Sequence, residues 1–334
     1  MKAAVVILNF NGKKWLEQFL PSVVAYSEGV KIVVADNGST DNSIEFVSNA
    51  FPQIKIISFQ ENLGFCKGYN RALQQIDAEY FVLLNSDVEV TANWLEKLLN
   101  FMDKNPQVWV CQPKIKSYHQ KTHFEYAGAA GGMLDKWGFA FCRGRIFDHV
   151  EPDLGQYEEN APIFWASGAC MCVRASVWKD LGGFDEYFFA HFEEIDFCWR
   201  VQKSGGEVFY CCESEVFHVG GATLNASNPR KTFLNYRNNL ITLYKNLPQK
   251  GKFTFLFFRL VLDGLSSLIF LKKMQFQHIW AIIEAHFAFY AYLFKKKPKM
   301  ITRSEKIAKL FPKAVAWEYF VKGRKTFTEI NKKA

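Results

Sequence analysis

Asn85-Ser86-Asp87-Val88-Glu89 sets two carboxylates at i and i+2 directly after the apolar run Phe81-Val82-Leu83-Leu84. Asp87 and Glu89 would then stand in a loop at the carboxyl end of a buried strand. Oxygen donors in that arrangement suit Mg²⁺ or Mn²⁺. The same residues also make an ordinary solvated turn, with Thr91 able to cap a following helix. Another polar segment, Asn9-Phe10-Asn11-Gly12-Lys13, holds one glycine only. The G-x-G-x-x-G that lets a backbone approach a dinucleotide pyrophosphate is therefore missing, which argues against NAD or FAD. No G-x-x-x-x-G-K-[S/T] segment occurs, so a P-loop kinase or ATPase is excluded.

The elements that must position these residues follow from the hydrophobic pattern. Short apolar runs at 5–8, 32–35, 54–58, 81–84 and 108–111 read as buried strands, and helical periodicity occupies 13–26, 42–50, 68–76 and 93–102. Strand–helix alternation with short connections predicts an α/β fold, Rossmann-like, with a mostly parallel sheet covered on both faces. Ligands bind such sheets beyond the carboxyl ends of the strands. The segments 9–12, 36–41, 60–67 and 85–89 fall there, and each carries Asn or Asp. A solvated loop is polar for less specific reasons, but four such loops at one sheet edge favour a site. Residues 115–165 show no clear period and read as irregular or mixed. Order returns at 165–173, followed by a helix near 194–204.

The motifs taken together resemble family-2 glycosyltransferases, in particular the bacterial rhamnosyltransferase-like branch. The likeness runs through Val5-Val6-Ile7-Leu8-Asn9-Phe10-Asn11-Gly12, Ala35-Asp36-Asn37-Gly38-Ser39-Thr40-Asp41, Asn62-Leu63-Gly64-Phe65 and Leu83-Leu84-Asn85-Ser86-Asp87-Val88-Glu89. It continues through Trp165-Ala166-Ser167-Gly168-Ala169, Gly182-Gly183-Phe184-Asp185-Glu186, Phe192-Glu193-Glu194-Ile195-Asp196-Phe197-Cys198-Trp199-Arg200 and His218-Val219-Gly220-Gly221. The resemblance implies an A-type glycosyltransferase fold over 1–224 and a nucleotide-diphosphate sugar donor. It implies that Asp36 and Asn37 contact the nucleotide, with Asn9, Asn11, Ser39, Asn62, Gly64, Lys67, Asn85 and Ser86 around it; Asp41 reads better as a helix cap.

Departure of a nucleoside diphosphate leaves negative charge that a cation must offset. The resemblance assigns that cation, Mn²⁺ or Mg²⁺, to Asp87 and Glu89, with His218 completing the shell. An imidazole ligand suits Mn²⁺ better. It assigns the base that takes the acceptor proton to Glu194, with Glu193 as alternative, and lets Trp165 and Gly168 line the acceptor side. Glu194 stands where Asp is usual. Glu193, Glu194 and Asp196 are also first-turn acids that a helix dipole favours. One direct attack on the donor would invert the anomeric centre. The acceptor implied is a saccharide or a polyprenyl-linked saccharide in cell-surface polysaccharide synthesis. A nucleotide-sugar binder without turnover, or a membrane scaffold, stands as the alternative.

The charge is uneven. Residues 225–334 hold 22 Lys and Arg against five Asp and Glu, whereas 1–224 hold 19 against 28. An acidic body thus precedes a basic, aromatic-rich helical tail. Residues 253–271 are the most apolar run, about 28 Å long as a helix, close to a bilayer core. Arg259, Asp263, Ser266 and Ser267 make a narrow polar stripe along it, which favours lying at an interface or packing on protein over crossing lipid alone. Lys250, Lys252, Lys272 and Lys273 flank it, and a second aromatic stretch, 279–294, leads into the basic run 295–299. Basic residues beside such helices fit an anionic membrane surface; a helical bundle covering the body is the plainer reading. No groove-reading or base-stacking module accompanies the charge, so nucleic acid is not an expected partner. The eight cysteines form no C-x-x-C pair and no zinc-like spacing. The apolar run at 3–8 is too short for a signal-peptide core. The expectation is a peripheral protein on the cytoplasmic face of the inner membrane.

Overall fold

A computed structural model describes residues 1–220, 228–295 and 310–332. The boundary expected at 224/225, and Lys296 to Lys299 of the basic run, lie outside the described residues.

The main sheet runs in the order Ala161–Pro162, Glu207–His218, Val108–Ser117, Cys170–Arg174, Tyr80–Asn85, Ala3–Asn9, Lys31–Asp36 and Lys55–Ser58, with Val88–Val90 paired to Glu207–His218. Ala3–Asn9 is parallel to both Lys31–Asp36 and Tyr80–Asn85. The sheet is mixed rather than uniform, because Cys170–Arg174 is antiparallel to both its neighbours. Ala3, Val5 and Ile7 enter one core layer while Ala4 and Val6 enter the opposite one, as the two-residue period of a strand covered on both faces requires.

Pairing brings strand ends to a common rim. Asn9 lies opposite Asp36, Leu8 opposite Asn85, and His218 opposite Val88. Asn9, Asp36, Asn85 and His218 are each the last residue of their strand. The region that lacked periodicity contains a second, antiparallel sheet, Gly132–Leu134, Ala140–Cys142, Arg145–Ile146 and His149–Val150. Phe311, Val315 and Ile330 pack on it with Phe141 and Ile146.

The helices after His218 join the same body. Pro229–Asn246 places Leu240, Ile241 and Leu243 in the main core. Phe276–Lys295 buries His278, Ala281, Ile282, Ala285, Phe289 and Tyr292, a three-and-four spacing that defines one face. Lys252–Lys272 buries only Lys252, Leu256, Arg259 and Asp263. Its polar stripe therefore faces protein, where the guanidinium of Arg259 sits 3.8 Å from the Phe139 ring centre and donates to Asn239 at 3.3 Å. The opposite face leaves Phe253 69% and Phe257 62% exposed. This 21-residue helix is long and apolar enough to cross a membrane.

Candidate active site

The rim begins with a set of interlocked amides and carboxylates. Asn9 donates to Asp36 and to Ser39, both at 3.1 Å, while the Ser39 N–H donates to Asp36 at 3.0 Å. The side-chain oxygen of Asn9 is buried without a partner. A Cβ on Gly12 would stand 2.4 Å from that oxygen, so only glycine fits. Asn11 accepts from the Thr40 N–H at 2.7 Å. Asp41 accepts from the N–H groups of Lys13 and Ser43, tying two helix starts together rather than facing the rim.

Asn37 donates to Asn62 at 3.0 Å and to the Gly64 carbonyl at 3.2 Å, and accepts from the Leu63 N–H. Gly64, at φ 78°, opens the helix Gly64–Leu73. A Cβ there would lie 2.5 Å from the ring of Phe189. The Phe65 and Cys66 N–H groups donate to the Phe189 carbonyl at 2.8 and 3.2 Å. This start lies four residues before the expected one, because its exposed N–H groups find a partner far along the chain. Lys67 is half-buried on this helix, with no ion pair among the described residues.

At the end of Tyr80–Asn85, the carboxylate of Asp87 lies 3.2 Å from His218 Nε2, and Asn85 Nδ2 lies 3.5 Å from the same nitrogen. Ser86 is half-buried beside them, its hydroxyl near Gly12. Behind the ring, Glu125 stands 3.5 Å from His218 Nδ1. Burial opposes a charge on the imidazole, but Glu125 and Asp87 outweigh it and push its pKa up to about 10. Burial likewise opposes ionisation of Asp87, yet His218 holds its carboxyl below the usual range. Two buried carboxylates facing one imidazole thus form a pocket that demands positive charge. Glu89 turns elsewhere, with both oxygens on Lys121 at 3.0 and 2.7 Å. Among the described residues, no three His, Cys, Asp or Glu side chains converge as a metal cage. Asp87 and His218 offer two adjacent donors. Glu125 had no periodic signal to reveal it.

Glu193 and Glu194 open the helix Glu193–Lys203. The turn before it is strained, with Phe189, His191 and Phe192 at φ 64°, 68° and 70°. Non-glycine residues hold such angles only where surroundings enforce them. Here Asn238 supplies the restraint: its buried amide donates to the carbonyls of Phe188, Ala190 and His191 at 3.1, 2.9 and 2.7 Å. Arg237 adds bonds to the Tyr187 and Phe188 carbonyls. Both come from the helix Pro229–Asn246 and were not singled out from sequence.

The three acids of this helix start have separate fates. Asp196 is locked by Lys245 at 2.8 Å, Arg200 at 2.8 Å and Asn246 at 2.9 Å. Burial opposes its charge, but Lys245 and Arg200 bring its pKa down to about 2. Glu193 and Glu194 each keep one buried oxygen with no partner. Burial raises the Glu194 pKa to about 7, and burial together with the charge of Glu194 raises that of Glu193 well above the carboxylate range. A carboxyl poised near neutrality with a free oxygen is suited to accept a proton.

Trp165 is buried, its indole donating to the Met133 carbonyl at 3.0 Å and its ring against Gly132. Gly168 lies against Phe65, which a Cβ would approach to 3.2 Å.

The α/β sheet thus carries an acid–imidazole pair on one side of its rim, and carboxyls with unpartnered oxygens stand at a helix start on the other. Residues 4–181 match the family model described as Glycosyl transferase family 2, and the chain belongs to that family of glycosyltransferases. It is 27% identical over 239 residues to the N-acetylglucosaminyl-diphospho-decaprenol L-rhamnosyltransferase of Mycobacterium tuberculosis, spanning 64% of this chain and 75% of that protein. Among solved structures it is similar to S. aureus TarS 1-349 in complex with UDP-GlcNAc, with a TM-score of 0.53 and 18% identity, covering 85% of this chain and 81% of that one. It is also similar to the mannosyltransferase PcManGT of Pyrobaculum calidifontis in complex with GDP-Man and Mn²⁺, with a TM-score of 0.51 and 13% identity, covering 89% and 76%. These structural likenesses establish the A-type fold.

Proposed function

We propose that the chain transfers a sugar, with inversion, from a nucleotide-diphosphate donor to a saccharide or polyprenyl-linked saccharide. The observation that carries this reading is the linked rim. The Asn37–Asn62–Gly64 network and the Glu193–Glu194 turn meet at the Phe189 carbonyl, so donor and base sites are held in one frame. The nucleotide would lie along Asn9, Asn11, Asp36, Asn37, Ser39, Asn62, Gly64, Lys67, Asn85 and Ser86. Asp87 and His218 would hold a divalent cation, Mn²⁺ suiting the imidazole, and it would offset the diphosphate charge. Between Asp87 and Glu125 the positive charge is carried by the protonated imidazole of His218, so a divalent cation beside Asp87 would take the place of the Nε2 proton. Glu89, engaged by Lys121, would join only after releasing that lysine.

In this scheme the acceptor hydroxyl sits against Glu194, which takes its proton as the oxygen attacks the anomeric carbon. Glu193 stays protonated beside it, so the pair carries one charge, not two. Trp165 and Gly168 shape the acceptor side from within the wall. The decaprenol-linked substrate in the mycobacterial relative's name supports a lipid-linked acceptor, and a deoxyhexose such as rhamnose as the sugar. The exposed aromatic face of Lys252–Lys272, flanked by lysines, supports work at the cytoplasmic face of a membrane.

Replacing Glu194 by Gln tests the reading. Nucleotide affinity should be kept and transfer should fall by about 10²-fold or more, the usual worth of a positioned base. A variant that transfers at the wild-type rate would remove Glu194 from the reaction.

A further inference from the structure

Arg143 lies outside the site described above and is 9% exposed. Its guanidinium packs among the rings of Tyr157, Tyr210 and Phe327, with centroids at 5.0, 5.3 and 5.9 Å. Its Nη1 is buried with no hydrogen-bond partner. Aromatic faces attract a cation, but they do not accept the N–H groups that radiate in the guanidinium plane. The buried acid Glu151 does not serve either. Its carboxylate is occupied by the Tyr157 hydroxyl at 3.1 Å, the Gln156 amide at 3.3 Å and the Phe327 N–H at 3.2 Å. A buried charge with unmet donors is costly unless something completes it.

A cleft of about 490 Å³ opens onto Arg143. Thr328 and Asn331 line it with neutral hydrogen-bonding groups, Gln156 and Tyr157 form a wall whose polar tips are engaged by Glu151, and Lys332 adds a second cation at its exposed end. That volume is in the range that holds a sugar-sized molecule. The cleft is separate from the Asp87–His218 pair, because Tyr210 lies eight residues before His218 on the same strand, where Ala161–Pro162 closes the sheet edge.

We propose that this cleft binds an oxyanion, a carboxylate or phosphoryl group, carried on a saccharide-sized ligand. The in-plane N–H groups of Arg143 grip the anion, Lys332 attracts it at the mouth, and Thr328 and Asn331 bond the rest of the ligand. The saccharide part of this assignment rests on the glycosyl-transfer reading; the anion part does not.

Sodium glucuronate and inorganic phosphate are the probes, titrated calorimetrically into the full chain against glucose and sodium chloride at matched ionic strength. The expected result is binding of at least one anion and none of glucose. Affinity should fall about tenfold or more in R143K, which loses the planar fork, and severalfold in K332E. Lys332 is exposed, so that variant keeps the fold whatever happens at Arg143. Binding of glucuronate alone assigns an acidic sugar, and of phosphate alone a phosphoryl group. Absence of binding by both anions, or wild-type affinity in both variants, overturns the site. The titration contains no donor sugar, so its outcome is independent of whether Glu194 is the base.

Discussion

The side-chain amide of Asn238 donates to the carbonyl of His191 at 2.7 Å. A residue from the helix after the sheet therefore fixes the backbone two positions before Glu193. With its further bonds to Phe188 and Ala190, it holds a turn in which three non-glycine residues have positive φ. Asn238→Ala takes this donor from the part-buried carbonyls of Ala190 and His191, at a cost of about 1–3 kcal/mol. Transfer should drop by about tenfold or more, with a smaller loss of nucleotide affinity passed on through the Phe189 carbonyl that the turn shares with the helix at Gly64. Steady-state kinetics with calorimetry checks this; parallel loss of both would mean that Asn238 supports the whole fold instead.

Burial sets the pH response. In the folded chain the Glu194 pKa lies at about 7, against 4.5 for an ordinary glutamate. The folded state thus binds more protons between these values, and its stability falls as pH rises from about 4.5 through about 7. Activity should move the opposite way, rising through about pH 7 as Glu194 becomes the ionised base. Glu194→Gln should flatten the thermal-stability profile over that window and raise stability above it. An unchanged profile would show that Glu194 does not titrate there.

Glu89 and Asp87 separate two meanings of one motif. Both oxygens of Glu89 are held by Lys121, whereas Asp87 faces His218. Glu89→Gln removes a partly exposed ion pair and should cost under about 1 kcal/mol. Its Mn²⁺ dependence in a nucleotide-release assay should stay within about threefold of wild type. A loss as deep as that of Asp87→Asn would place Glu89 on the ion after all.

The outer face of Lys252–Lys272 carries the membrane prediction. Phe253→Glu with Phe257→Glu changes two exposed rings, so the melting temperature should hold. Co-sedimentation with vesicles containing acidic lipid should fall severalfold, and added salt should weaken the remaining attraction. Equal sedimentation of variant and wild type would point to another use for this face.

Asn9, Asp36 and Asn85 were legible in the sequence as strand-end residues, because a strand buried on both faces is an unbroken apolar run that stops where the chain meets water. The Arg259–Asp263 stripe was legible too, but not the side it faces, since periodicity gives a face and no partner. What escaped depended on distant contacts. The helix at Gly64 starts early because Phe189, 125 residues on, accepts its N–H groups. Glu125 reaches His218 from a region of short antiparallel strands with no repeat long enough to read. Asn238 looks like any polar helix residue until the turn it holds is seen.

The most direct measurement is calorimetric binding of UDP, dTDP and GDP, with and without Mn²⁺, to the wild-type chain and to Asp87→Asn. One nucleotide should bind in a metal-dependent way, and the substitution should abolish the metal's contribution. Nucleotide binding that ignores both Mn²⁺ and Asp87, or no binding to any of the three, would contradict the proposed function.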